Sequence, residues 1–346
     1  MIDFKKTDKK TVSEETLNAI YEKIKTPYKK GAVLKFDNEM CDSPVVFFYN
    51  GKWYMSFIKI AKDVHNSGYD SHLAVSDDLI NWEYVSNNMK RSLDGGWDSN
   101  QIAGYPVFIE NDFYGNYNIQ KVKGNYYFAY LGGALKGYET DPLSVGMWKC
   151  TDILDEKTYV KLSEPVLSPF DADAREGEKL SLFKSDMFVD GDKTLGYRFV
   201  NAYNARGESR RESVFLAVSD DGEKWERYGK TPVLSPEKDE EKDQRILGDA
   251  QILKMDGVYV MVYFVCEVRK EGVAAFNTFA CSYDLINWTK WKGKHLIESE
   301  YEWENKYAHK PWIVVKDGVV YHFYNAVNTD GERFIALATS KPPENL

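Results

Sequence analysis

A hairpin pattern that recurs along the sequence constrains its fold more than any other feature. The first copy, residues 40–58, places Asn50-Gly51 between two runs of aromatic and β-branched residues. An Asn-Gly pair in such a setting is a strong signal for a β-hairpin. Related segments surround the glycines at positions 124, 191, 257 and 318. One supersecondary unit is therefore repeated five times, roughly every 66 residues.

A second signature follows the hairpin in three of the repeats. Ser-Asp-Asp-Leu-Ile-Asn-Trp at 76–82 is echoed at 219–225 and at 282–288. It predicts a third strand that ends in a Ser/Asp turn, with Trp leading into a fourth strand. Five units of four strands predict an all-β protein with a five-bladed β-propeller fold. The alternative is a β-sandwich, whose strands need not recur in groups of four.

The N-terminal region is predicted to be separate from the repeats. Residues 13–25 suit an amphipathic helix, with Ser13 as N-cap. We expect a helical extension over residues 1–32 and a propeller domain over residues 33–346. The ring can be closed either by the segment near Val33 or by the one that follows Lys341.

The stretch between Met89 and Phe108 is rich in Gly, Asp and other turn formers. It predicts an irregular linker rather than a strand. Unit two is therefore expected to begin near Tyr114. A loop of this kind on one face of a propeller suits the wall of a pocket.

Composition excludes several classes of partner. The net charge of −9 argues against a nucleic-acid surface, which needs clustered Lys and Arg. No apolar run approaches the roughly 20 residues that span a membrane, and the first ten residues have no apolar core of a signal peptide, so a cytoplasmic location is expected. The four cysteines lack C-x-x-C spacing and are interpreted as buried thiols rather than disulfides or metal ligands. No cofactor and no metal site is indicated.

Aromatic residues make up 15% of the sequence, and several of them fall in or beside predicted loops. Exposed rings of this kind can stack against sugars, and they can equally serve packing between blades. The candidates are Trp97, Tyr105, Tyr114, Tyr117 and Tyr138.

Polar residues precede the first strand of several repeats at similar distances from the turn glycine. They are Asp42, Asp186, Asp249 and His309, with Asn116 or Asn118 in the second repeat. The start of the innermost strand of every blade faces the centre of a propeller, so these side chains are predicted to converge. Asp at a strand start can also be a simple turn former.

Carboxylates that share one funnel repel each other and lose hydration, which raises the pKa of at least one of them. One ionised and one protonated carboxyl group are the minimum for cleaving a glycosidic bond. No Ser-His pairing, nucleotide-binding loop or metal-spaced His cluster competes with this interpretation.

These motifs together resemble the five-bladed β-propeller glycoside hydrolases, the group that holds families 43, 32, 62, 117 and 130. The resemblance rests on the segment 42–55, the Ser-Asp-Asp repeat and Gly248-Asp-Ala-Gln-Ile-Leu-Lys-Met-Asp-Gly257. It implies Asp42 as general base, Asp186 as the residue that tunes the acid, and Asp249 as general acid. Family 43 has Glu at the last position, so Glu212 or Glu267 could replace Asp249.

The resemblance implies an inverting, exo-acting glycosidase whose substrate is a short oligosaccharide or another glycoside. The predicted substrate-binding residues are Trp97, Tyr105, Asn116, Tyr138, Glu212, His309 and Lys310. Family 130 includes phosphorylases, so inorganic phosphate held by His309, Lys310 and Arg245 is an alternative nucleophile. A carbohydrate-binding propeller without catalysis is a second alternative, and a protein-interaction scaffold a third.

Overall fold

The computed structural model describes residues 10–239, 243–270 and 272–342. Within these ranges the chain forms one α-helix and twenty β-strands, connected by short turns and 3-10 helices. In these ranges no helix combines the length and the apolar character that crossing a lipid bilayer requires. The helix is α1 (Glu14–Ile24), and the strands are β1 (Tyr28–Leu34), β2 (Glu39–Tyr49), β3 (Lys52–Ala61), β4 (Tyr69–Ser76), β5 (Glu83–Met89), β6 (Gln101–Val107), β7 (Tyr126–Gly133), β8 (Leu143–Cys150), β9 (Val160–Lys161), β10 (Ser181–Val189), β11 (Phe199–Arg206), β12 (Glu212–Ser219), β13 (Glu226–Tyr228), β14 (Asp243–Met255), β15 (Val258–Arg269), β16 (Gly272–Ser282), β17 (Thr289–Lys290), β18 (Tyr307–Lys316), β19 (Val319–Val327) and β20 (Arg333–Thr339).

Antiparallel pairing groups these strands into five units of four. Units one to four are β2–β5, β6–β9, β10–β13 and β14–β17, each paired in sequence order. Unit five contains β18, β19 and β20, and its outer strand is β1. Four strands per unit, joined by tight hairpins, is the cassette that the repeats predict.

The N-terminal strand closes unit five. Tyr28 pairs with Thr339 and Leu34 with Ile335. Of the two closures that the sequence allows, the one near Val33 is therefore the one formed. A strand from the start of the sequence covers the edge of the last unit, which would otherwise expose unpaired backbone groups.

Helix α1 forms where the sequence predicts it. The Ser13 side chain accepts a hydrogen bond from the backbone N–H of Thr16, and the apolar face of the helix is buried. Tyr21 stacks on Trp291 of unit four with ring centroids 5.0 Å apart. The helix thus packs against the outside of the repeats.

The repeated Ser-Asp-Asp motif is a turn stabilised by its own side chains. Asp78 Oδ1 accepts hydrogen bonds from the backbone N–H of Ile80 at 2.8 Å and of Asn81 at 2.7 Å. The corresponding turns around Asp221 and Asp284 repeat this arrangement. The prediction of a turn between the third and fourth strands is confirmed.

Unit two differs from the sequence prediction. Its inner strand is β6 rather than a segment near Gly124, and residues 108–125 form the long connection to β7. Gly104 counts as a turn former in the sequence pattern, but a Cβ at this position would lie 2.0 Å from Cε of Met89. The Met89 side chain packs against Gly104 within strand β6, so the predicted linker between Met89 and Phe108 is wrong in its second half.

Candidate active site

The inner strands of units one, four and five contain the same irregularity near their start. The pairing register shifts directly after Asp42, Gly248 and His309. Bulges of this kind redirect side chains and are common beside active sites. The first residue within each bulge has a positive φ. These residues are Ser43 (56°), Asp249 (51°) and Lys310 (55°).

The observed pairing registers also contradict the predicted alignment of the three aspartates. Asp42 aligns with Gly248 and His309, whereas Asp249 lies one position further along. In unit three the register shifts after Leu182, so Asp186 lies deeper in its strand. The prediction of equivalent positions is therefore wrong: Asp249 stands eight residues before its turn glycine, whereas Asp42 stands nine residues before its own.

Asp42 is buried, and both oxygens of its carboxylate accept hydrogen bonds. Oδ1 accepts the Ser43 backbone N–H at 2.6 Å, and Oδ2 accepts the Tyr138 hydroxyl at 2.6 Å as well as the Arg333 guanidinium. Lys310 Nζ lies 3.7 Å from Oδ1. Burial alone would raise the pKa of Asp42, but the positive charges of Lys310 and Arg333 hold it well below its usual range.

Lys310 joins Asp42 to a loop of unit two. Its ammonium donates to the Tyr138 hydroxyl and to Oε1 of Glu139, both at 2.7 Å, and to Ser43 Oγ at 3.3 Å. Burial opposes its charge, yet Asp42 and Glu139 keep the pKa of Lys310 well above the ordinary value. The Glu139 side chain remains 30% exposed. Units one, two and five thus meet at one ion-pair network.

Glu212 belongs to the same region and is buried, with 4% exposure. Oε2 accepts a 2.9 Å hydrogen bond from Asn204, and Oε1 lies 3.4 Å from the Arg206 guanidinium. Burial and the negative charge of Glu139 outweigh Arg206 and raise the pKa of Glu212 to about 8. At neutral pH this carboxyl group therefore retains a proton that it can donate.

Asp249 and Lys184 face each other next to this network. Lys184 Nζ and Asp249 Oδ2 are 3.9 Å apart, and both residues are buried. Burial raises the pKa of Asp249 and lowers that of Lys184. The charges of Lys310, Glu139 and Asp42 also affect the pKa of Asp249. Asp249 therefore belongs to the same group of interacting charged residues, which we call the cluster.

Asp186 lies on the same strand as Lys184 and keeps partial contact with solvent. Its Oδ2 accepts the backbone N–H of Ile252 at 2.5 Å. Burial raises the pKa of Asp186 to about 7, and Lys184 opposes this shift. Asp186 is therefore a neighbour of the Lys184 and Asp249 pair.

Two more predicted residues lie against the cluster. His309 is buried with its ring edge-on to Phe264, and burial lowers its pKa to about 3, so that it is neutral at pH 7. The Tyr105 hydroxyl accepts the backbone N–H of Ser185 at 2.6 Å, and its ring lies below the ammonium of Lys184.

Two predicted residues lie elsewhere. Trp97 stacks on Tyr130, with centroids 5.5 Å apart, and among the described contacts it touches no member of the cluster. Asn116 is exposed on the 108–125 connection, in a separate groove with Trp53. Asn116 was predicted to precede the inner strand of unit two, but that inner strand is β6, which comes earlier in the sequence.

The sequence analysis did not identify four members of the cluster. Lys184 interrupts an apolar strand, a signal that could have identified it. Glu139 lies in a turn-rich loop, and Asn204 and Arg333 look like ordinary strand residues. Among the described residues, no group of three His, Cys, Asp or Glu side chains could hold a metal ion.

Several solved structures similar to this chain are glycoside hydrolases. BT0996, solved as an RGII complex, is 40% identical, with a TM-score of 0.89 over 96% of this chain and 97% of that one. A second structure, described as a glycoside hydrolase, is also 40% identical, with a TM-score of 0.89 and 96% coverage of both chains. A thermostable family-43 glycoside hydrolase is 17% identical, with a TM-score of 0.61, and covers 92% of this chain and 96% of its own.

No protein-family model matches the sequence, and neither does any curated protein. The fold is the β-propeller of these glycoside hydrolases. At 40% identity over nearly the whole length of both sequences, this chain therefore belongs to the glycoside hydrolases.

Proposed function

We propose that this glycosidase removes a terminal sugar from an oligosaccharide, with Glu212 as general acid and Glu139 as the ionised carboxylate partner. The observation that carries this assignment is the contrast between the two side chains. Glu212 is buried with a pKa raised to about 8, whereas Glu139 forms a 2.7 Å ion pair with Lys310. One protonated and one charged carboxyl group are what glycosidic cleavage requires.

Glu212 suits the acid role better than Asp249. Its side chain is one methylene longer, and the resemblance to family 43 implies Glu as the acid. Asn204 holds the Glu212 carboxyl group in place, while Asp249 Oδ2 has no hydrogen-bond partner among the described residues.

Asp42, which the sequence analysis assigned as general base, suits a positioning role. Its oxygens already accept three hydrogen bonds, and its side chain is fully buried. A base must reach the proton of an attacking water. We therefore propose that Asp42 fixes Lys310, Tyr138 and Arg333 around Glu139.

Exo action is supported by the loop that carries Tyr138 and Glu139. The Tyr138 and Glu139 side chains of this loop contact Asp42 of unit one and Lys310 and Arg333 of unit five, an arrangement that we expect to admit only the end of a glycan. Inversion remains a prediction from the resemblance. Inverting enzymes hold their two carboxyl groups about 6.5–9.5 Å apart and retaining ones about 5–5.5 Å apart. Proton NMR of the first sugar released decides between the two.

An oligosaccharide of the RGII type is the proposed substrate, because a protein 40% identical to this one was solved as an RGII complex. Nothing in the comparisons supports phosphate as nucleophile. Of the proposed phosphate ligands, Lys310 is already bound to Glu139, and Arg245 pairs with Asp243 at 2.5 Å.

Sugar release from an RGII oligosaccharide by the purified protein tests the proposal. Glu212→Gln is expected to lower kcat at least a thousandfold while Asp249→Asn retains more activity. Equal turnover by Glu212→Gln and the wild type would remove Glu212 from the mechanism, and loss of turnover in Asp249→Asn alone would return the acid role to Asp249.

A further inference from the structure

Lys184 and Asp249 present two buried polar atoms whose hydrogen-bonding capacity is unused. Among the described residues, neither Nζ of Lys184 nor Oδ2 of Asp249 has a hydrogen-bond partner. The two residues are 5% and 4% exposed. Buried polar groups in native proteins are nearly always hydrogen-bonded, so an unpaired donor and an unpaired acceptor side by side require an explanation.

The separation of the two atoms suits a group placed between them. At 3.9 Å they are too far apart for a direct hydrogen bond. A hydroxyl oxygen about 2.9 Å from Nζ and about 2.7 Å from Oδ2 would bind both, with an angle of about 90° at that oxygen. A hydroxyl can do this because it accepts from the ammonium and donates to the carboxylate.

The surroundings hold both groups in position. Lys184 Nζ lies 4.9 Å from the ring centroid of Trp312 and 5.8 Å from that of Tyr105. Aromatic faces attract an ammonium without using its N–H donors. Asp249 occupies the bulge position with a φ of 51°, and its backbone N–H donates to Asn204. A donor and an acceptor are thus fixed before a ligand arrives.

We propose that Lys184 and Asp249 together bind one hydroxyl group of the sugar, as a specificity-determining pair distinct from the Glu139 and Glu212 carboxyl groups. This inference rests on the proposed function, because it assumes that the cluster receives a sugar. A site whose buried polar groups are paired only by a substrate hydroxyl rejects a sugar that lacks it.

The pair makes a prediction about stability that a structural ion pair does not. Replacing Lys184 by Met and Asp249 by Gly together removes both charges of the buried pair, so that neither is left without its partner. Groups retained for binding commonly reduce stability. We therefore expect this double variant to unfold at the same temperature as its parent or higher, whereas a structural role of the pair predicts a lower Tm.

Binding is measured by calorimetry in the Glu212→Gln background, with an RGII oligosaccharide as the probe. Lys184→Met and Asp249→Gly are each expected to raise Kd at least tenfold, and glycine suits the positive φ at position 249. If both residues bind one hydroxyl, the Kd of the double variant should be little higher than that of the single variant that binds the sugar less tightly. Lys254→Met, which removes a lysine paired with Asp190 away from the cluster, is the matched control and is expected to leave Kd unchanged.

The inference is overturned if the Kd values of Lys184→Met and Asp249→Gly stay within twofold of the parent, if the two losses multiply in the double variant, or if the Tm of the double variant falls. Absence of binding to the Glu212→Gln parent also overturns it. Hydrolysis by the wild-type protein is scored separately, so failure of the proposed function and failure of this inference are distinguished.

Discussion

Nδ2 of Asn204 donates a 2.9 Å hydrogen bond to Oε2 of Glu212. Oδ1 of the same amide accepts the backbone N–H of Asp249 at 3.3 Å. One side chain of unit three therefore sets the position of a carboxyl group in its own unit and of a bulge in unit four. Because the amide cannot satisfy both partners in another orientation, the two carboxyl-bearing residues are held in a fixed relation.

Glu139→Gln is expected to lower kcat at least a hundredfold, because an amide cannot act as base or nucleophile. Rates of sugar release from an RGII oligosaccharide measure the effect. Glu176→Gln is the control, since that side chain is 84% exposed and, among the residues that the structure describes, forms its ion pair with the exposed Lys179. Full activity in Glu139→Gln would exclude this residue as the charged partner of Glu212.

Activity is expected to fall as the pH rises through about 8, because Glu212 must be protonated to act as an acid and its pKa is about 8. Arg206 lowers this pKa, so Arg206→Met should shift the alkaline limb of the kcat/KM profile upwards by about one unit or more. Arg210→Met is the control, because Arg210 is 69% exposed and pairs with Asp141 rather than with Glu212. A limb that stays in place or moves to lower pH in Arg206→Met would contradict the assignment.

Asp42→Asn is expected to reduce both stability and activity. It leaves Arg333 and Lys310 without their buried carboxylate, a change that costs about 3–5 kcal/mol of unfolding free energy. Because the pKa of Asp42 is depressed, its contribution is present above the unfolded pKa of about 4 and is lost as the pH falls. Urea denaturation at pH 7 measures the loss.

Asp77→Asn is the control for that experiment, since Asp77 is 77% exposed and its pairing with Lys52 contributes less than about 1 kcal/mol. Lost turnover in Asp42→Asn with an unchanged unfolding free energy would favour the general-base role that the sequence analysis predicted.

Leu34→Ala tests the closure of unit five by β1. Leu34 is 7% exposed and pairs with Ile335, so its truncation is expected to cost about 2–5 kcal/mol and to lower Tm. Lys35→Ala, at the next position, removes an exposed pairing with Glu332 and an ammonium contact 5.3 Å from the centroid of the Phe334 ring, which together should cost about 1 kcal/mol. Equal Tm values for the two variants would show that β1 contributes little to stability.

The repeat architecture could be predicted because each of its signals is local. The Asn50-Gly51 turn, the Asp78 turn and the Ser13 N-cap depend on residues within a few positions of one another. Unit two was predicted less well, because glycine is common in turns and Gly104 was read as a turn former, although it lies within strand β6.

The sequence by itself determined four-stranded units, the capped helix and a set of polar residues near the start of the inner strands. Tertiary structure decided which partners they meet, including residues that the sequence did not single out: Lys310 reaches Glu139 across 171 positions of the sequence, and Asp42 reaches Arg333 across 291. The reason is physical. A carboxyl group becomes an acid, a base or an ion-pair partner through its burial and its neighbours, and here those neighbours come from other units, in registers set by bulges that no local pattern reveals.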